Sequence, residues 1–395
     1  MLRKQKIFFL SLFLILLVFP VCFHSKEKIS LRENRTLARF PSLTAENGLN
    51  FKFGKEFEEW FDDHFFKREQ IIDLRFLIRH KINGIVENDQ AFIGDNGWIF
   101  EKEGTVNTQS LEYQRKNIEN DADILKRFDD KFKDKVIPVY LVLVPDRLRI
   151  YQKYWENHYT PKPALNYENE ITKALADHGN IKIITFFDEF MHSPEKDSLY
   201  YKDDFHLTYK ARHRIQRELY DHFLKTELKD LTVSPVKHEL KSRIRRNTFF
   251  SSLFGEKGYQ DEEALLIDYQ FPIYDQYEEV DFKSFRLDDE WGNIEGVVYR
   301  KGRSRFPGSV NKSFFSLGPC YAEDAFILFR NVFKESVYIR TNLGDQYGSE
   351  AKKRQINEIR KLFTLEKDSA VIVLIINTHY REEDDIEYIK LALEE

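Results

Sequence analysis

The residues with the clearest capacity for chemistry lie in the stretch Tyr200-Tyr201-Lys202-Asp203-Asp204-Phe205-His206-Leu207-Thr208. A carboxylate two positions before a histidine can hold one ring nitrogen and fix the tautomer. The other nitrogen is then free to take a proton from a nucleophile. Thr208 is a good helix N-cap, and Ala211, Ile215, Leu219 and Phe223 recur every four residues, which predicts an amphipathic helix over 209–223. His206 would sit just before that helix start, where the dipole disfavours imidazolium and predicts a neutral base. Capping alone can also place Asp and His before a helix, so the reading needs a nucleophile. Ser316-Leu317-Gly318-Pro319-Cys320-Tyr321 offers one: a short apolar run turns there into the helical pattern Ala325, Ile327, Leu328 and Val332. Strand-to-helix junctions of this kind expose the nucleophile of α/β hydrolases, and the residue here is Cys320.

The elements that must position these groups alternate along the chain. Helical character over 113–132, a buried-strand run over 136–144, a helix over 168–176 and a strand over 181–187 precede the Asp204–His206 segment. Later come a strand over 314–317, a helix over 322–333, a strand over 337–340, a helix over 350–363 and a strand over 370–376. Apolar strands separated by helices predict a parallel sheet covered on both faces, a three-layer α/β/α domain. Sites on such sheets lie at the carboxyl ends of the strands. Asp146, Asp204, His206, Cys320, Arg340 and Asn377 all fall at or just beyond those ends, so one edge can gather them. From about 228 to 308 the alternation stops, and Lys/Arg-rich and aromatic-acidic stretches predict an inserted cap of mixed structure rather than disorder. Its rings would form the insert's own small core or a face for sugar rings.

The expected organisation is a signal anchor or signal peptide over 1–26, an N-terminal arm, helices and hairpin over 27–112, and the α/β domain over 113–395. Arg3, Lys4 and Lys6 precede an uncharged apolar run over 7–23, so the rest of the chain should emerge on the far side of a membrane. The run ends without a small-x-small cleavage pattern, which favours a retained single-pass anchor over a cleaved signal; lipidation at Cys22 is a third option. In the arm, Phe53, Phe57, Trp60 and Phe61 have helical spacing, and Asp63 with His64 reads as capping and packing. The residues around Asp95-Asn96-Gly97 form a hairpin signature.

With 61 Lys+Arg against 66 Asp+Glu the formal charge is -5, which offers no basic surface for nucleic acid. Cys22 and Cys320 are the only cysteines, so no disulfide framework is expected and a lone thiol outside the cytoplasm must be buried or used. No internal repeat, metal-ligand spacing or cofactor motif is evident, and none of these is expected.

The motifs, in order, resemble SGNH-hydrolase-like proteins of the alginate O-acetyltransferase type and the similar DHHW family. The resemblance rests on Glu33-Asn34-Arg35 with Phe40-Pro41, on Asp63-His64-Phe65 with Arg68, on Gly94-Asp95-Asn96-Gly97-Trp98-Ile99-Phe100, and on Val144-Pro145-Asp146-Arg147 with Tyr151. In that family an Asp-x-His pair precedes the nucleophile, opposite to ordinary SGNH hydrolases, and Asp204-Phe205-His206-Leu207-Thr208 resembles its D-x-H-W-T with Leu207 in place of Trp. Asp203 is the rival carboxylate, since Asp-x-x-His is the unpermuted spacing. The family's G-x-S-Y becomes Gly318-Pro319-Cys320-Tyr321, with Cys for Ser. The resemblance implies a Cys320 acyl-enzyme with His206 as base and Asp204 as its orienter. Backbone N–H groups at Cys320 or Tyr321, Arg340 and Asn377 would serve the oxyanion or the substrate. It implies an extracytoplasmic O-acetyltransferase acting on a cell-surface or secreted polysaccharide, held in the cell membrane, with a separate multi-span membrane acyltransferase bringing the acetyl group. A same-fold acetylesterase and a non-catalytic envelope scaffold or glycan-binding protein are the alternatives.

Overall fold

The structure is a computed structural model. It describes residues 9, 23–26, 28–30, 35–45, 48–76, 78, 87, 91–102, 110–161, 163–229, 237–245, 262–270, 277–286, 295–306, 309–341, 349–378 and 385–394. Two compact units emerge, one of residues 1–93, 246–261 and 287–294, the other of residues 94–245, 262–286 and 295–395.

In the first unit, helix α1 (Phe53–His64) is followed by α2 (Arg68–Phe76). Phe53, Phe57, Trp60 and Phe61 share one face of α1 because they recur at three- and four-residue intervals. Phe40 covers that face, its ring centroid 6.5 Å from Phe53, 6.0 Å from Phe57 and 4.8 Å from Trp60. Asp63 accepts the Ala38 N–H at 2.7 Å, and the two ring nitrogens of His64 lie 2.9 and 2.8 Å from the carbonyls of Ser25 and Ala38. These two side chains therefore tie the arm to the end of α1. The expected anchor lies almost wholly outside the described residues, as do Glu33 and Asn34. Among the described residues no helix is long and apolar enough to cross a membrane.

The second unit is built on a seven-stranded sheet. Its elements in chain order are α3 (Leu111–Asp130), β1 (Val139–Val144), α4 (Tyr167–Leu175), β2 (Ile181–Thr185), α5 (Tyr209–Lys225), β3 (Tyr277–Arg286), β4 (Glu295–Ser304), β5 (Val310–Gly318), α6 (Cys320–Phe329), β6 (Phe333–Arg340), α7 (Ser349–Leu362), β7 (Ala370–Asn377) and α8 (Asp385–Glu394). The strand order is β3-β4-β6-β5-β7-β1-β2. From β6 to β2 neighbouring strands are parallel, whereas β4 runs antiparallel to both β6 and β3.

Both faces of the parallel part are covered, which explains its unbroken apolar runs. Val139, Leu141 and Leu143 point to one side and pack with Ile124 and Phe128 of α3, Ile171 of α4, Ile359 of α7 and Ile389 of α8. Tyr140 points to the other side, where its ring lies 4.7 Å from Phe223 of α5, which in turn lies 4.7 Å from Phe329 of α6. Helices α5 and α6 thus share a layer, and each begins at the carboxyl edge of the sheet. The register confirms that edge: Gly318 of β5 pairs with Arg340 of β6, and Asn377 of β7 pairs with Val144 of β1.

The sheet differs from the expected one in two respects. Part of the stretch read as an insert, β3 and β4, extends the main sheet as an antiparallel edge, while Lys237–Arg245 and Glu262–Gln270 pair as a separate hairpin. Strand β6 also begins at Phe333, inside the expected helix, because α6 stops at Phe329.

The turn from β5 into α6 depends on Gly318. Its φ of +144° is a conformation that side chains rarely adopt, and a Cβ there would stand 2.4 Å from the Ile375 carbonyl oxygen. Gly318→Ala should therefore cost at least about 2 kcal/mol, the scale of such backbone strain, before the clash is counted. Urea unfolding should show the midpoint falling at unchanged slope.

Candidate active site

The base stands on a loop closed on itself. Tyr200 and Leu207 form an isolated antiparallel bridge, and the Tyr201 N–H donates to the His206 carbonyl at 3.3 Å. Thr208 caps α5, its hydroxyl accepting from the Ala211 N–H at 3.3 Å and donating to the Ser198 carbonyl at 2.7 Å. Arg147, almost fully buried, clamps the loop from behind. Its guanidinium donates to the carbonyls of Tyr201 at 3.1 Å, Lys202 at 2.6 Å and Ile99 at 2.9 Å, and its centre lies 5.1 Å from the Trp98 ring. This gives Asp146-Arg147 and the Trp98 turn a physical role in holding the loop. Asp146 itself caps the short helix after β1, accepting from Leu148 N–H at 2.8 Å.

Within the loop, Asp204 and not Asp203 holds the imidazole. One Asp204 oxygen accepts from His206 Nδ1 at 2.7 Å and from the His206 backbone N–H at 3.0 Å. Nδ1 is thereby occupied, and Nε2 is left for a partner. The second group that acts on the ring is Cys320, partly exposed as the first residue of α6. Phe205 lies against the imidazole with ring centroids 4.1 Å apart.

Two contacts hold loop and nucleophile helix together across the sequence. The Tyr321 hydroxyl accepts the Leu207 N–H at 3.0 Å, joining the residues that follow Cys320 and His206. Burial keeps that phenol neutral by raising its pKa well above the usual value. One turn further along each helix, Arg212 of α5 and Asp324 of α6 form a bidentate pair, with Nε to Oδ2 at 2.6 Å. Burial opposes the Arg212 charge, but the Asp324 carboxylate outweighs it, and the cation is close enough to Cys320 to interact with it electrostatically.

The expectation of a neutral base is overturned. Burial favours the neutral ring, but the hydrogen bond to Asp204 and the influence of Asp204 and Cys320 beside the ring outweigh it and push the pKa from 6.5 up to about 9. The dipole at the start of α5 is too small and too exposed to compete with a direct carboxylate contact. These contacts therefore favour the ring that carries a proton on each nitrogen.

Of the other expected site residues, Arg340 and Asn377 end the two strands that flank β5, at the same sheet edge as Gly318 and Cys320. Tyr321 is present in the site through its hydroxyl, a role that the reading of its backbone N–H did not include. Arg212 and Asp324 were also missed. Their signal was positional: each lies four residues after a site-flanking residue, Thr208 and Cys320, hence one turn away on the same helix face. Among the described residues no cluster of acidic, histidine or cysteine side chains suits a metal ion.

The raised His206 pKa makes a signed prediction. Its contribution to stability is complete below about pH 6.5 and is lost as pH rises through about 9. In the Asp204→Asn protein that decline should shift to lower pH, because the carboxylate is gone. NMR titration of His206 should give a midpoint near 9 in the parent and one nearer 6.5 in the variant.

Residues 91–247 match the family described as SGNH hydrolase-like domain, acetyltransferase AlgX. The match includes Asp204 and His206 and ends before Cys320. No curated protein matches the chain. Among solved structures, PatB1 of Bacillus cereus is similar with a TM-score of 0.49 and 11% identity, covering 76% of this chain and 100% of its own. A DHHW family protein of Eubacterium siraeum has a TM-score of 0.47 and 12% identity, covering 77% and 96% respectively. The O-acetyltransferase domain of Pseudomonas putida AlgJ has a TM-score of 0.44 and 12% identity, covering 77% and 99%. Residues 91–247, with the Asp204–His206 pair inside them, are thus similar to the SGNH hydrolase-like domain of the acetyltransferase AlgX type.

Proposed function

We propose that the protein is an extracytoplasmic O-acetyltransferase that moves acetyl groups onto a cell-surface or secreted polysaccharide through an acetyl-Cys320 intermediate. The observation that carries this reading is the arrangement itself: Asp204 on Nδ1 of His206, and Cys320 beside it at the start of α6, the two segments joined by the Leu207–Tyr321 bond.

In the first half-reaction the Cys320 sulfur, as its thiolate, attacks the carbonyl carbon of the acetyl donor. The S–C bond forms, and the donor's C–O bond breaks as the His206 proton passes to the departing oxygen. In the second, neutral His206 takes the proton of a glycan hydroxyl while that oxygen attacks the thioester. The new C–O bond forms, the C–S bond breaks, and the thiolate and imidazolium are restored. A ring that already holds its proton suits this sequence, since it acts first as an acid. The negative oxygen formed at each tetrahedral stage would lie near the free N–H groups of Cys320 and Tyr321 at the helix start, with Arg340 and Asn377 as further donors. Pro319 supplies no N–H, so that turn offers one donor fewer than a turn with any other residue there.

In this reading the apolar run over 7–23 holds the chain at the membrane with its folded part outside the cytoplasm. The acetyl group reaches it from a multi-span membrane acyltransferase. The resemblance of the sequence and the acetyltransferase description of the matched family support this assignment.

Incubation with an activated acetyl ester should leave one acetyl group on the protein by intact mass. Cys320→Ala should abolish the adduct, and His206→Ala should form it at least about a hundredfold more slowly, the usual worth of a positioned acid–base. Added oligosaccharide should then discharge the adduct with transfer of label to sugar. Discharge to water alone would mark an esterase, and absence of any adduct would leave a binding protein.

A further inference from the structure

The first unit carries an apolar surface that its own packing does not require. Phe51 is 96% exposed, Leu49 73% and Leu43 65%. They surround the hairpin of Thr44–Ala45 with Gly48–Leu49, which is firmly built rather than loose. Asn50 donates its backbone N–H to the Leu43 carbonyl at 3.0 Å, and its side-chain amide donates to the Ser42 carbonyl at 2.9 Å and to Glu56 of α1 at 2.8 Å. The hairpin is thus fixed to the first turn of α1 with its largest apolar side chains turned outward. Phe40, 59% exposed, lies over the aromatic face of the same helix. Apolar side chains held in water by a specific hydrogen-bonded frame imply something that covers them.

The sequence indicates what that is. The apolar run over 7–23 ends at Phe23, whose ring lies 6.3 Å from Phe66 in this unit. The chain leaving the run is then tied to α1, with the Ser25 N–H donating to the His64 carbonyl at 2.9 Å. Helix α1 has 12 residues and spans about 18 Å, so the hairpin at its start stays within that reach of the run's exit at its end. The charges sort accordingly. Glu58, Glu59 and Asp62 lie on the side of α1 opposite Phe53, Phe57 and Trp60, together with Lys55, which pairs with Glu59 at 3.8 Å. An aromatic-edged surface whose charges lie on the far side fits an uncharged lipid interface, entered by apolar burial rather than by attraction to anionic headgroups.

We propose that Leu43, Leu49 and Phe51, at the open end of this hairpin, insert into the interface of the bilayer that holds the 7–23 run, making a second membrane contact. The proposal rests on the membrane placement given under the proposed function. The test uses the full chain reconstituted into zwitterionic phosphatidylcholine vesicles, comparing the parent, which has four tryptophans, with Phe51→Trp. The protein should float with the vesicles, and the added emission should be blue-shifted, lost with lipids brominated on the acyl chain, and insensitive to salt. Flotation with an added emission that is red and unquenched would overturn the hairpin contact and leave the anchor standing. A blue but unquenched emission would place a second copy or another protein on the patch and would also overturn it. Failure to float would remove the anchor and the proposal together. Acetylation of Cys320 by a soluble ester, measured in parallel, separates all of these outcomes from failure of the catalytic reading.

Discussion

The site depends on a single hydrogen bond more than on any other contact, the one from the Leu207 N–H to the Tyr321 hydroxyl. Leu207 and Tyr321 are 114 positions apart in sequence, yet each directly follows a reacting residue, so the bond fixes His206 against Cys320 with almost no intervening chain. A buried N–H that lost this acceptor would leave an unsatisfied donor, at a cost of about 1–3 kcal/mol. The Arg212–Asp324 pair repeats the connection one helical turn deeper. Two points of attachment fix an orientation as well as a distance, and an acid–base that must face a sulfur needs both.

The electrostatics follow from that geometry. His206 is hydrogen-bonded to a buried carboxylate and has Cys320 as a second neighbour, and together these groups outweigh its desolvation. The Asp204 contact involves only the loop and its histidine, so the Asp204–His206 unit can serve a serine or a cysteine in the turn without being rebuilt.

Much of this was legible in the sequence, and the limits of legibility have physical causes. Strands β1 and β7 read clearly because both sheet faces are buried and every residue is apolar. The Thr208 cap and the four-residue spacing behind it marked the start of α5, and the order of motifs pointed to a permuted SGNH-like domain. Strands β3 and β4 were not legible as part of the sheet. They lie at its edge, carry Glu278, Glu279, Arg300 and Arg303, and pair antiparallel, so nothing in their composition distinguishes them from an insert. Strand β6 began unseen because Lys334 and Glu335 interrupt its apolar pattern where it projects towards β4. The protonation of His206 was not legible either, since it depends on contacts whose distances a sequence does not state.

The edge strand β3 has a consequence for the protein among its own copies. A long, flat edge would offer unpaired amides to any strand that approached, and parallel sheets of this size are exposed to that hazard while they fold. Here the pairing of β3 with β4 shifts register twice, between Glu279 and Asp281 and again between Lys283 and Ser284. Each irregularity bends the strand and interrupts its row of hydrogen-bonding groups, while Glu278 and Glu279 pair with Arg305 at 2.9 Å and Arg300 at 3.0 Å. A second copy trying to continue the sheet along β3 would meet a bent ladder with charged side chains already committed to their own partners, which disfavours growth by strand addition at this edge.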